Sequence, residues 1–291
     1  PGSGRAQKGL ASNYGLVKPG PVMQPATTSA AQEAFLAGGP GFAILALVLG
    51  LILGSFANVC IHRFLSGESV VAPRSKCPSC DHQLAWWENL PLISFIWLQG
   101  RCRSCQSPIS WRYPLVESAA GLWCLLLALK FGPGVAWLVY LAFGLLLIVV
   151  SFIDLESFLL PDAMTIPGGA LAFAAGWLLL GLGWKASLLG GIAGAGSFWL
   201  LQKGYKLLKG IEGLGSGDIK LMFLLGALLG WRALPLVVFF AAVSGLAVSL
   251  VFLRLQSAKG LQTAIPFGPF LSLGGMIYIL CGPQIWSWYL S

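Results

Sequence analysis

"GFAILALVLGLILGSFANVCI", residues 41–61, runs for 21 residues without a charge. A helix needs about 20 mostly apolar residues to cross a hydrocarbon core of about 30 Å, so this stretch predicts a membrane span. "VAWLVYLAFGLLLIVVSFI", 135–153, meets the same requirement. Six further spans are predicted at roughly 115–130, 163–184, 186–202, 218–231, 233–253 and 266–289, with 186–202 and 218–231 short for the task. The composition agrees: 57% hydrophobic, 10% charged, mean hydropathy +0.80. The reading is an all-α polytopic membrane protein of about eight transmembrane helices. Gly190 and Gly194 form a small-xxx-small pair that predicts close helix packing.

If the helices alternate across the bilayer, one side holds Arg63, Arg74, Lys76, Arg101, Arg103, Arg112, Lys203, Lys206, Lys209, Lys220, Arg254 and Lys259. The opposite loops hold only Lys130, Lys185 and Arg232. That bias puts the first side in the cytoplasm and the N-terminus outside. It also accounts for the net charge of +8 through contact with anionic lipid, with no nucleic-acid partner implied. Residues 1–22 lack apolar periodicity and read as a tag or linker ahead of Met23. The expected organisation is a flexible segment at 1–35, helix 1 at 36–61, a cytoplasmic module at 62–114 between helices 1 and 2, and a seven-helix membrane domain at 115–291.

That module contains C-x2-C twice, at Cys77, Cys80 and at Cys102, Cys105, separated by 21 residues. Four thiolates so spaced can enclose one tetrahedral ion, and zinc is the usual occupant. With four protein ligands and no open position, the site is structural. A pair of disulfides is disfavoured on a reducing face. His62 and His82 read as ordinary polar residues, and Cys60, Cys124 and Cys281 as small hydrophobes within spans. "LAWWENLPLISFIWLQG", 84–100, is unusually apolar and aromatic for a loop; it packs on the module or lies against the membrane surface, with a partner or cofactor surface as the third reading.

Carboxylates close to hydrocarbon are costly. Yet of ten Asp and Glu, Asp154, Glu156, Asp162, Glu212 and Asp218 fall in two short stretches, "SFIDLESFLLPD" (151–162) and "EGLGSGDIKLM" (212–222). Two spans separate them, so Asp154 and Asp218 lie at the same membrane face and can meet. Two adjacent carboxylates share a proton; one then activates water while the other donates to a carbonyl under attack. With only two histidines, both in or beside the 62–114 loop, no Ser or Cys nucleophile with a His base competes. Gly215 and Gly217 allow unusual dihedrals and close approach of a substrate, predicting a hydrated pocket at Asp218. Pro161 predicts a chain break before Asp162. The alternative is a proton- or sodium-coupled transporter using the same two aspartates.

Several motifs in order, "GSFANVCIHR", the Cys pairs, "LPLISF", "GRCRSCQSPISWRYPLVE", "IDLESFLLPD" and "GSGDIKLM", make the chain resemble the bacterial type IV prepilin peptidases, membrane aspartyl proteases of the GxGD type. The resemblance runs from about residue 41 to 275. It implies Asp154 and Asp218 as the catalytic pair, Gly215, Gly217, Pro161, Asp162 and Lys220 in support, and Cys77, Cys80, Cys102 and Cys105 as the zinc-type module. It implies two activities: removal, after a glycine, of the basic leader of type IV prepilins and type II secretion pseudopilins at the cytoplasmic face of the inner membrane, and methylation of the new N-terminus from S-adenosylmethionine. No Gly-rich dinucleotide-type turn marks a site for that donor, which the sequence leaves unplaced.

Overall fold

The computed structural model describes residues 28–69, 75–210, 215–255 and 265–290. Arg74, Glu212, Lys259 and the 1–22 segment before Met23 lie outside the described residues. Each predicted span coincides with a helix: α1 (Thr28–Ser66), α3 (Arg112–Phe131), α4 (Val135–Ser157), α5 (Asp162–Ala174), α6 (Trp184–Lys209), α7 (Ser216–Leu229), α8 (Leu234–Leu255) and α9 (Gly268–Leu290). The short α2 (Ile93–Trp97) belongs to the loop between α1 and α3. Among the described residues, six helices are both long and apolar enough to cross a membrane. They are α1 from Gly39 onward, α3, α4, α5 with its extension to Leu179, α8 with its lead-in from Trp231, and α9.

The count of eight is therefore six plus two helices that fall short in different ways. At 1.5 Å per residue, α7 with 14 residues reaches about 21 Å, less than a hydrocarbon core. α6 has 26 residues, but its final turns carry Lys203, Lys206 and Lys209. α7 belongs to the packed interior of the bundle, whereas α6 buries one face only, through Ser187, Gly190, Gly191, Gly194 and Phe198. α7 buries Leu221, Met222, Leu224, Leu225 and Leu228 completely or nearly so. The predicted Gly190–Gly194 seam is where α6 meets it: Gly190 lies against the backbone of Gly226, and Gly194 against the carbonyl of Met222. Neither place has room for a Cβ, so the small residues set the helix separation.

Glycine seams recur between α1 and α3, where a Cβ on Gly54 would lie 2.8 Å from Cα of Glu117. α1 is broken at Gly39 (φ 61°), followed by Pro40, which separates its first turns from the span. α5 ends in a π turn over Ala175–Leu179, closed by the Leu180 amide donating to the Ala175 carbonyl at 2.9 Å. At the far end of the bundle, Lys130 Nζ donates to the carbonyls of Ile279 and Leu280, tying the end of α3 to α9.

The loop between α1 and α3 forms a small module at one end of the bundle. Phe95 packs on Gly100 and on Trp111. Trp86, Ile96 and Trp97, 79%, 74% and 83% exposed, face away from it. Part of the aromatic stretch thus packs on the module, as one of the expected placements has it, and part is exposed.

Candidate active site

Asp154 stands in the last turn of α4 and Asp218 in the first turn of α7. Their residues are 4% and 6% exposed. α4 stops because Phe158 turns left-handed (φ 56°, ψ 24°), with its amide donating to the Asp154 carbonyl at 2.9 Å. Leu159 and Leu160 follow, and Pro161 caps α5, as the X-Pro-Asp sequence predicts. Pro161 also accepts from the Thr165 hydroxyl at 3.0 Å. At the other strand of the site, Gly215 caps α7 and its amide donates to the Asp218 carboxylate. This is the reciprocal half of a capping box and holds Asp218 in one orientation.

The two carboxylates are close enough for their charges to interact. A shared neighbour, Leu160, fills the space beside them: a Cβ on Gly217 would lie 2.5 Å from Leu160 Cβ, and one on Gly268 would lie 3.3 Å from Leu160 Cδ2. Gly268, the first residue of α9, has its amide on the Asp154 carboxylate, and a Cβ there would stand 2.6 Å from Oδ2. Sequence reasoning missed both residues. The one available signal for Gly268 is the "FGPF" break at the head of the last span. Around this inner pair, Lys220 Nζ donates to Asp162 Oδ1, so two residues assigned supporting positions meet each other and brace α5 against α7.

One expectation needs correction. Gly215 has φ −68° and ψ 141°, ordinary extended backbone, and Gly217 sits within α7; neither has a positive φ. At Gly217 the need is room for Leu160, whereas a Cβ at Gly215 would meet only ordinary contacts, 3.5 Å from Asp218 Oδ2. A cavity of about 610 Å³ lies between the module and the ends of α1, α3 and α4, and neither aspartate lines it. Arg112 and Glu156 stand in its wall, joined by two hydrogen bonds of 2.9 and 2.8 Å that clamp the start of α3 to the end of α4.

The four module cysteines converge. Their sulfurs all lie within 4.8 Å of one another, and the Cys77–Cys105 and Cys80–Cys102 pairs are both 3.9 Å apart. Zinc–sulfur bonds of about 2.3 Å at tetrahedral angles put sulfurs about 3.8 Å apart, so the set fits such an ion. Each Cys pair sits in the same turn. Asp81 (φ 54°) and Gln106 (φ 60°) follow the second Cys, and their amides donate back to Cys77 and Cys102 at 2.9 and 3.0 Å. The bridges Lys76–Gln83 and Arg101–Pro108 close the two turns identically. Burial pushes the Cys77 thiol up, but the amides of Ser79 and Cys80 and the thiols of Cys102 and Cys80 outweigh it and bring it to about 6. At Cys80 the His82 amide lowers the thiol, while burial and the three other thiols carry it to about 12. His82 donates to or accepts from Glu88 at 3.3 Å, and His62 pairs with Ser66; neither joins the cluster.

Residues 48–131 match the bacterial peptidase A24 N-terminal domain, and residues 141–250 match the type IV leader peptidase family. The chain is 39% identical over 277 residues to the Prepilin leader peptidase/N-methyltransferase of Aeromonas hydrophila, covering 85% of this chain and 93% of the relative. The chain belongs to the type IV leader peptidase family. Relatives of the same description in this family include those of Stutzerimonas stutzeri, 40% identical over 88% of this chain and 97% of the relative, and Burkholderia pseudomallei strain 1026b, 42% over 81% and 84%. No solved structure matches it. Within the leader peptidase frame, the cysteine module falls in the N-terminal domain match and both aspartates in the second. Nothing in the family or the geometry favours the transporter alternative.

Proposed function

We propose that this chain is a multi-pass inner-membrane peptidase that removes the basic leader of type IV prepilins and pseudopilins after a glycine, and then methylates the exposed N-terminus. The observation that carries the reading is a pair of buried carboxylates within electrostatic reach of each other, at the bundle end that also carries the cysteine module. Asp154 and Asp218 hold one proton between them. The ionised member takes a proton from water as the oxygen attacks the scissile carbonyl, and the protonated member donates to the carbonyl oxygen. Collapse returns a proton to the departing amine. Gly268 and Gly215 hold the carboxylates in register through their amides.

Asp154 and Asp218 sit at helix ends, as a cut at the membrane surface requires, and the excess of Lys and Arg at that end supports a cytoplasmic position for it. In the second reaction S-adenosylmethionine would supply the methyl group to the neutral amine of the new N-terminus, leaving the thioether product, with the amine's proton passing to water. Cys77, Cys80, Cys102 and Cys105 would hold zinc, which supplies cross-linking of the module and no open coordination position. The chain divides into that module, residues 62–114, and a membrane domain that carries the aspartates.

The test is incubation of the purified protein with a prepilin peptide in detergent, followed by mass spectrometry. A leader-sized mass loss is expected from the wild type and not from Asp154→Ala or Asp218→Ala. Full cleavage by either variant removes that residue from the mechanism.

A further inference from the structure

We infer that the 610 Å³ cavity between the cysteine module and the membrane helices binds the methyl donor, with Glu88 as the carboxylate that receives its ribose hydroxyls. The inference rests on the methyl-transfer reading above. The volume lies within the range of about 300–1,000 Å³ typical of small-molecule sites. S-adenosylmethionine presents a flat purine, a vicinal diol, a sulfonium cation and an amino-acid end. Leu84, Phe95 and Leu98 supply apolar wall for the first, and Arg103 a guanidinium for the terminal carboxylate.

Charge makes the same point. Of the chain's ten carboxylates, Glu68, Asp81, Glu88, Glu117 and Glu156 line this cavity beside Arg63, Lys76, Arg103 and Arg112, so groups of both signs face a ligand that itself carries cationic centres and a carboxylate. Three of them are engaged: Asp81 by Lys76 at 2.7 Å, Glu117 by the Leu92 amide at 2.8 Å, and Glu156 by Arg112. Glu88 differs. Its side chain is 2% exposed, and Oε2 is held by the Ala85 amide at 2.7 Å and by His82, but Oε1 is buried with no partner. A buried carboxylate oxygen without a donor is costly, and a ligand hydroxyl is a donor of the right kind.

The place also suits a second reaction on the product of the first. Glu156, in the cavity wall, follows Asp154 by two residues on α4. Two residues on a helix are about 200° apart around the axis and about 5.5 Å apart between Cα atoms. The donor cavity and the aspartate pair therefore lie on opposite sides of one helical turn of α4.

The experiment uses the full chain, reduced and zinc-loaded, in detergent. Binding of tritiated S-adenosylmethionine is followed by equilibrium dialysis, and photo-cross-linking with peptide mapping locates it. One bound donor is expected, displaced by S-adenosylhomocysteine, with cross-links within residues 84–110 or 55–63. Glu88→Gln should weaken binding at least tenfold with zinc content unchanged. If that variant loses zinc, Ser94→Phe, which fills the cavity from α2 and leaves Glu88 in place, must show the tenfold loss. Cross-links confined to other segments, or wild-type affinity in both variants, overturn the assignment. So does displacement by a basic leader peptide but not by S-adenosylhomocysteine, which makes the cavity a leader site. A wild type that neither binds the donor nor methylates a cleaved pilin sinks the methyl-transfer reading itself, a result distinct from donor binding at another place.

Discussion

Asp154 and Asp218 are 64 positions apart in the sequence and share one buried site, each held by a glycine amide. Asn at either position keeps the size and loses the shareable proton, so Asp154→Asn and Asp218→Asn should each cut leader cleavage by at least ~100-fold, in line with general acid–base contributions. Initial rates on a prepilin peptide, with detergent-solubilised protein of unchanged helicity, check this. Gly268 offers a finer probe. A methyl group there meets Asp154 Oδ2 at 2.6 Å, and the amide bond to the carboxylate shifts with it. Gly268→Ala should lower kcat by about 10- to 100-fold, given how steeply rate depends on placement, with little change in unfolding temperature. The GxGD aspartate and its partner are legible in the sequence because carboxylates at span ends are rare. Gly268 is not, because a glycine at a helix start has many uses and only the neighbouring carboxylate reveals this one.

At the scale of elements, α4, α5, α7 and α9 converge on Leu160, the linker residue between α4 and α5. Gly217→Ala places a Cβ 2.5 Å from Leu160 Cβ, an atom close to the backbone that cannot swing away. Ala is the better helix former, yet overpacking of this kind costs about 1–3 kcal/mol, so the variant should unfold at lower temperature and cleave more slowly. Thermal unfolding in detergent reads the first, and peptide cleavage the second. The cysteine module makes a separate prediction. Elemental analysis should find about one zinc per chain, and Cys102→Ser should abolish it. Every ligand must be a thiolate, so protons compete with the metal: zinc should be retained at neutral pH and released as pH falls, with increased proteolysis of the loop. Release on raising the pH instead would contradict a four-thiolate site. The Cys spacing alone announces the module; that its two turns are near copies, each with a left-handed residue after the second Cys, emerges only from the backbone.

For the whole molecule, the aspartates and the cysteine module share one end of the bundle, with most of the Lys and Arg. A cysteine introduced by Lys185→Cys, in a background lacking Cys281, should react from outside intact cells with a membrane-impermeant maleimide. One introduced by Arg103→Cys should react only after the membrane is opened; the reverse pattern would invert the orientation. Hydropathy, charge bias, Cys spacing and isolated carboxylates are local properties of the chain, and by themselves they determine a helical membrane bundle, its orientation bias, a four-cysteine cluster and a candidate aspartate pair. That α7 is short is visible in the sequence, but only tertiary structure decides that it is buried, because that depends on Gly190 and Gly194 letting α6 approach it. Only tertiary structure brings Gly268 to Asp154, Lys220 to Asp162 and Arg112 to Glu156, and encloses a cavity between module and bundle. These contacts join residues 44 to 114 positions apart, and no periodicity or motif encodes the distance between two helices that meet only when the bundle is packed.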